Sequence, residues 1–92
     1  MAAITPAITV VWKFPVVVQR HIMIDMPSGA TILSVGMQEG HLCFWAQVNP
    51  KAPLTTRRFL CVGTGDVMSA DTPPFIGTVF DRQFVWHIFG EK

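Results

Sequence analysis

Charged residues make up only 14% of the 92 residues, well below the roughly 25% usual in soluble domains. Seven Lys and Arg stand against six Asp and Glu, a net charge of +1. That balance excludes the surplus of cations with which general nucleic-acid binders neutralise phosphates. Lys51 with Arg57 and Arg58 is the one local exception. Long apolar runs are also missing: Lys13, Pro15, Gln19 and Arg20 interrupt the most apolar region, so no stretch reaches the ~18 residues of a membrane helix. The stretch Met1 to Trp12 lacks a basic n-region and carries Pro6 inside its only apolar run, so no secretory signal is legible. Cysteine is limited to Cys43 and Cys61. Without a signal for export, the expected setting is a reducing cytoplasm with free thiols. Both lie in apolar segments, where a buried, unreactive role is expected.

What remains is rich in breakers and β-formers. Proline, glycine and small polar residues recur every eight to twelve positions, the spacing of an all-β domain. Strands are expected over Thr9 to Phe14, Gln19 to Met26, Thr31 to Met37, Leu42 to Val48, Arg57 to Val62, Phe75 to Phe80 and Phe84 to Phe89. Pro27-Ser28-Gly29 reads as a turn, with proline presetting φ and glycine accepting a positive one. Gln38-Glu39-Gly40-His41 and Asp81-Arg82-Gln83 read as hairpin connections. The longest loop opens at Gly63-Thr64-Gly65 and closes at Pro73-Pro74. No helix of convincing length is expected. Residues 1–92 form one domain, with residues 1–8 as a flexible or extended arm, folded as a small barrel or a two-layer sandwich of about seven short antiparallel strands.

Two of these strands are apolar on both faces. Side chains alternate along a strand, so Phe84, Trp86 and Ile88 share one side and Val85, His87 and Phe89 the other. Leu42 to Val48 behaves alike, with Trp45 opposite Phe44 in parity. A sheet in so short a chain normally turns one face to water, so a second covering layer is implied, and a partner chain is one source of it. Tyrosine is absent, and the aromatic area rests on three Trp and seven Phe. Trp45, Trp86, Phe84 and Phe89 are the expected interface residues, in a homodimer or against another protein.

As a set, several segments resemble a known family. They are Trp12-Lys13-Phe14-Pro15, Met26-Pro27-Ser28-Gly29-Ala30, Ile32-Leu33-Ser34-Val35 and Leu42-Cys43-Phe44-Trp45-Ala46. Asn49-Pro50, Ala52-Pro53, Arg58-Phe59, Gly63-Thr64-Gly65, Ile76-Gly77-Thr78 and Val85-Trp86-His87 continue it. The resemblance is to small proteins of a domain of unknown function encoded widely in bacteriophages and their bacterial hosts. It covers about Trp12 to Phe89. It departs at Asn49, where Asp is expected, at Gly36, where Gln is expected, and in an N-terminal extension, Met1 to Val11. No activity comes with it; what it implies is an accessory phage or prophage protein inside the host cytoplasm.

Candidate chemistry is sparse. Gly63-Thr64-Gly65 could offer backbone amides to a phosphate, with Lys51, Arg57 or Arg58 as an anion or nucleotide clamp, but the same glycines also serve a strand leaving its sheet. The fuller phosphate-binding fingerprints are missing. His21, His41 and His87 fit no recurring metal-ligand spacing, and His87 among apolar neighbours reads as a hydrogen-bonded structural histidine. No metal and no cofactor are expected. Neither thiol stands on a loop where it would meet substrate, and no paired acids are placed for hydrolysis, so no enzyme is expected. The expectation is stoichiometric binding, most specifically inhibition of a host anti-phage defence protein. A small-ligand binder or sponge for a nucleotide second messenger is the alternative, and a virion or assembly component a third.

Overall fold

The computed structural model describes residues 8–92. The arm expected over residues 1–8 therefore lies, apart from exposed Ile8, outside the described residues. Seven strands follow one another: β1 (Val10–Val16), β2 (His21–Pro27), β3 (Thr31–Gln38), β4 (His41–Val48), β5 (Leu54–Gly63), β6 (Phe75–Asp81) and β7 (Phe84–Gly90). All pairings are antiparallel, in a three-stranded sheet ordered β1-β4-β3 and a four-stranded sheet ordered β2-β5-β7-β6. The two sheets face each other without closing into a barrel, which settles the sandwich over the alternative. No described residue is helical.

Period-two patterning selects the inner faces. From β4, Leu42, Phe44, Ala46 and Val48 are all buried; from β2, Ile22, Ile24 and Met26; from β5 and β7, Phe59, Cys61 and Ile88. The sheets meet where the Phe44 and Phe59 rings pack, centroids 4.6 Å apart and tilted by 48°. Along one side β3 approaches β6 so closely that a Cβ on Gly77 would stand 3.0 Å from a Val35 methyl.

The turns follow their residues. Glu39 and Gly40 both have positive φ, as a two-residue I′ hairpin requires, and Gln38 pairs with His41 on either side. Arg82, φ +56°, opens the two-residue connection between β6 and β7. The Pro27-Ser28-Gly29 turn passes the chain from one sheet to the other, with the Ser28 N–H donating to the Pro53 carbonyl at 2.7 Å.

Two sequence expectations are corrected. β1 does not stop before Pro15; it runs through it to Val16. β1 is an edge strand, where a missing N–H can face the free side at no cost to the ladder. β5 starts at Leu54 rather than Arg57, because the residues after Pro53 pair with the end of β2. β4 and β5 form no hairpin. They belong to different sheets, which places Cys43 on the outer face of one and Cys61 on the inner face of the other. Both are buried free thiols.

Gly29 sits at φ +81° with open space where a Cβ would go. Replacement by Val therefore meets backbone strain and no clash, and should lower stability by about 1–2 kcal/mol. Gly29→Asn, which tolerates that conformation, should recover most of the loss in a thermal melt. Equal melting temperatures for wild type and Gly29→Val would contradict this.

Candidate functional site

Register assigns each expected interface residue to a face. In β7, Phe84, Trp86 and Ile88 point into the sandwich, opposite Asp81, Val79 and Gly77 of β6. Val85, His87 and Phe89 point outward with Phe80, Thr78 and Phe75. The inward row is fully covered only at Ile88. Toward the end of the sheet Trp86 is half-buried and Phe84 is 48% exposed, their rings stacked with centroids 5.6 Å apart. The Trp86 indole N–H is buried and meets no acceptor among the described residues.

The outward row is handled differently along its length. His87 is bonded at both ring nitrogens, Nε2 to Thr64 Oγ at 2.8 Å and Nδ1 to Thr78 Oγ at 3.1 Å. With both positions used, it is a structural histidine. The 64–74 loop returns over this side of the sheet: Arg20 donates to the Val67 carbonyl at 2.7 Å and Gly90 N–H to the Pro74 carbonyl at 2.8 Å. Val62, on the outward side, is buried in consequence. Part of the covering layer implied by the two-sided strands is thus this chain's own loop. It leaves Phe75 and Phe80 exposed at 53% and 73%, beside half-buried Val85 and Phe89. Phe75 and Phe89 meet edge to face at 5.5 Å.

Trp45 is on the far side of the molecule, on the outer face of the other sheet between Lys13 and Ser34. Its neighbours there are polar; Lys13 Nζ donates to Gln38 Oε1 at 2.9 Å. Gly36 leaves part of the indole edge open, since a Cβ there would touch the ring at 3.6 Å. The four expected interface residues are therefore not one surface. Phe84 and Trp86 form an inward cleft, Phe89 belongs to an outward patch, and Trp45 stands alone.

The residues expected around a phosphate are dispersed as well. Gly63 and Thr64 line a cavity of about 310 Å³ with Asp66, Gln83, Phe84, Val85 and Trp86. Three of the loop's amides are already engaged: Gly63 N–H donates to the Asp66 carboxylate at 3.1 Å, Thr64 N–H to Val85 O, and Asp66 N–H to Gly63 O. Arg57 turns away, donating to the Ala30 carbonyl at 2.8 Å and the Glu91 carbonyl at 2.7 Å, with its guanidinium 5.9 Å from the Phe59 ring centre. Arg58 lines a separate groove with His21, Leu60 and Pro73. Lys51 lies exposed in the turn after β4, its backbone N–H capped by Asn49 Oδ1 at 3.0 Å. Asp66, absent from the residues expected around an anion, is the residue that organises the cavity. A glycine followed three positions later by Asp in a loop is the signal that was available.

No group of three His, Cys, Asp or Glu side chains is close enough to hold a metal ion among the described residues. Among the described residues no helix is long and apolar enough to cross a membrane.

The fold and its exposed chemistry define a two-sheet β-sandwich with an aromatic cleft at one end and an aromatic patch on one hairpin. The chain belongs to the family DUF7352, a domain of unknown function whose model matches residues 8–92. That match takes in residues 8–11, so only residues 1–7 of the expected N-terminal extension fall outside it. No curated protein and no solved structure matches the chain.

Two expectations follow. Trp86→Ala should destabilise by roughly 2–3 kcal/mol, less than a fully buried ring would cost; a denaturant midpoint equal to wild type would contradict it. Burial, and secondarily the Asp66 carboxylate, pushes the Cys61 thiol up. Folding then favours the protonated thiol, so this group's stabilisation is whole below the free-thiol range and is lost as pH rises from there through the raised native value. Iodoacetamide at neutral pH should leave Cys61 unmodified in the native protein and alkylate it in denaturant. Native alkylation at the rate of a free thiol would contradict this.

Proposed function

We propose that this protein acts stoichiometrically, by binding another protein through the outward face of the β6–β7 hairpin. The observation that carries the reading is the set Phe75, Phe80, Val85 and Phe89, aromatic and aliphatic side chains presented outward on a rigid hairpin, with Phe75 and Phe80 exposed at 53% and 73% and no described strand over them. Large aromatic anchors on a preformed surface are what binding hot spots use; here they stand as two pairs, Phe75 with Phe89 and Phe80 with Val85, on either side of Thr78 and His87. The low charge of the chain removes the repulsion that usually guards a surface of this kind.

The family resemblance supports the setting: an accessory protein of phage or prophage origin in a bacterial cytoplasm, with a host protein, specifically an anti-phage defence component, as the target. A second copy is the proposed occupant of the opposite edge. Among the described residues β1 has an unpaired side, and its inward residues Val10 and Trp12 remain 38% and 39% exposed, with no described strand of the other sheet over them. Edge pairing of two copies would extend the three-stranded sheet. The nucleotide-sponge alternative has less in its favour, since the Gly63 and Thr64 amides and Arg57 are committed to internal bonds.

The test pairs capture with surface substitution. Tagged wild type should retain one defined host protein, and Phe80→Asp should release it while keeping its own stability within about 0.5 kcal/mol, as exposed positions do. Undiminished capture by a Phe75→Asp/Phe80→Asp double variant would overturn the proposed surface. Sedimentation should give twice the 10.2 kDa chain mass, and Trp12→Glu should halve it.

A further inference from the structure

The cavity between the 63–66 loop and the end of β7 carries a single charged side chain, and that charge is negative. Its lining is Gly63, Thr64, Asp66, Gln83, Phe84, Val85 and Trp86. Asp66 is held in place: its N–H donates to Gly63 O at 3.0 Å and its Oδ2 accepts from Gly63 N–H at 3.1 Å. Its Oδ1 is bonded by no described residue. Gly63 brings the carboxylate and the aromatic wall together. A Cβ at that position would lie 3.0 Å from Asp66 Oδ2 and 3.3 Å from the Trp86 ring, so glycine gives the acid and the indole room side by side. Phe84, stacked on Trp86, keeps half its surface open.

A carboxylate beside an aromatic wall repels phosphates and attracts cations. We propose that this cleft receives the guanidinium of an arginine side chain on a partner protein, paired with the Asp66 carboxylate and stacked on the open face of Phe84. This deepens the binding reading above by naming what the partner presents, and so rests on it. Guanidinium suits the site better than ammonium because it is planar, weakly hydrated and able to give a carboxylate two parallel hydrogen bonds while stacking on a ring. A volume of about 310 Å³ also admits the aliphatic stem, which covers Trp86. The Trp86 indole N–H, buried and without an acceptor among the described residues, belongs to the same wall and reports on it.

The experiment titrates the isotope-labelled full chain with the capped tripeptide acetyl-Gly-Arg-Gly-amide, reading the Gly63 amide and the Trp86 indole N–H. The citrulline analogue, equal in shape but uncharged, and adenosine monophosphate are titrated alongside. A saturable shift of both signals by the arginine peptide is expected, with citrulline and Asp66→Asn each weakening it by at least about tenfold. Since Asp66 also bonds Gly63, Phe84→Ala provides a second variant that spares that turn and should weaken binding too. The proposal is overturned if the arginine peptide gives no saturable shift with folded wild type, if citrulline binds equally, or if the nucleotide moves the same signals at lower concentration. An arginine-blind cleft in a protein whose Phe80→Asp variant still loses its partner would overturn this proposal and leave the hairpin surface standing.

Discussion

The sandwich depends on one contact between its layers, the Phe44 ring against the Phe59 ring. Phe44 is fully buried at the centre of the three-stranded sheet, and Phe59 faces it from β5. Other features converge on this pair. The Arg57 guanidinium lies over Phe59 and reaches on to the Ala30 and Glu91 carbonyls, tying the crossing turn and the C-terminal end of β7 to the same place. Gly90 passes Phe59 so closely that any Cβ there would overlap the ring. A core of two thin sheets centred on one aromatic pair covers its middle well and its margins poorly.

Those margins are where the protein offers chemistry. At one edge, the inward row of β1 overhangs the opposing sheet, leaving Val10 and Trp12 half wetted. At the end of β7 the inward row opens into the Phe84–Trp86 cleft, which the 63–66 loop lines with a carboxylate. On the outside of the β6–β7 hairpin the 64–74 loop covers Val62 and shares in holding His87, then stops short of Phe80. Each exposed feature follows from where the core runs out of covering chain, and all are rigid because they stand on strands. Preformed apolar surface of this kind favours binding over chemistry, since ordering costs on association are small.

Much of the architecture was legible in the sequence because strand patterning is local. Ile22, Ile24 and Met26 alternate cleanly with exposed neighbours, and breakers marked most turns, so seven antiparallel strands could be placed from the sequence. Pairing between sheets is not local. Leu42–Val48 and Arg57–Val62 look like adjacent strands, yet Pro50 and Pro53 carry the chain into the other layer. The candidate site was legible only in part for the same reason. Gly63, Thr64, Phe84 and Trp86 do come together, but alternation alone could not show that Arg57, adjacent to Arg58, would be consumed by two backbone carbonyls. Nor could composition show that Asp66 would take the Gly63 amide and reverse the electrostatic character of the loop. Trp45 and Trp86 have similar strand contexts in sequence and differ only in which sheet face has something opposite it.

The most direct test of the claim that this domain works through its hairpin face is site-specific photo-crosslinking in living host cells. A benzophenone side chain placed at Phe80 should trap one defined protein in stoichiometric yield, while the same probe at Gln47, on the outer face of the other sheet, should trap none of it. Equal trapping of that protein from both positions, or trapping from Gln47 alone, would contradict the account.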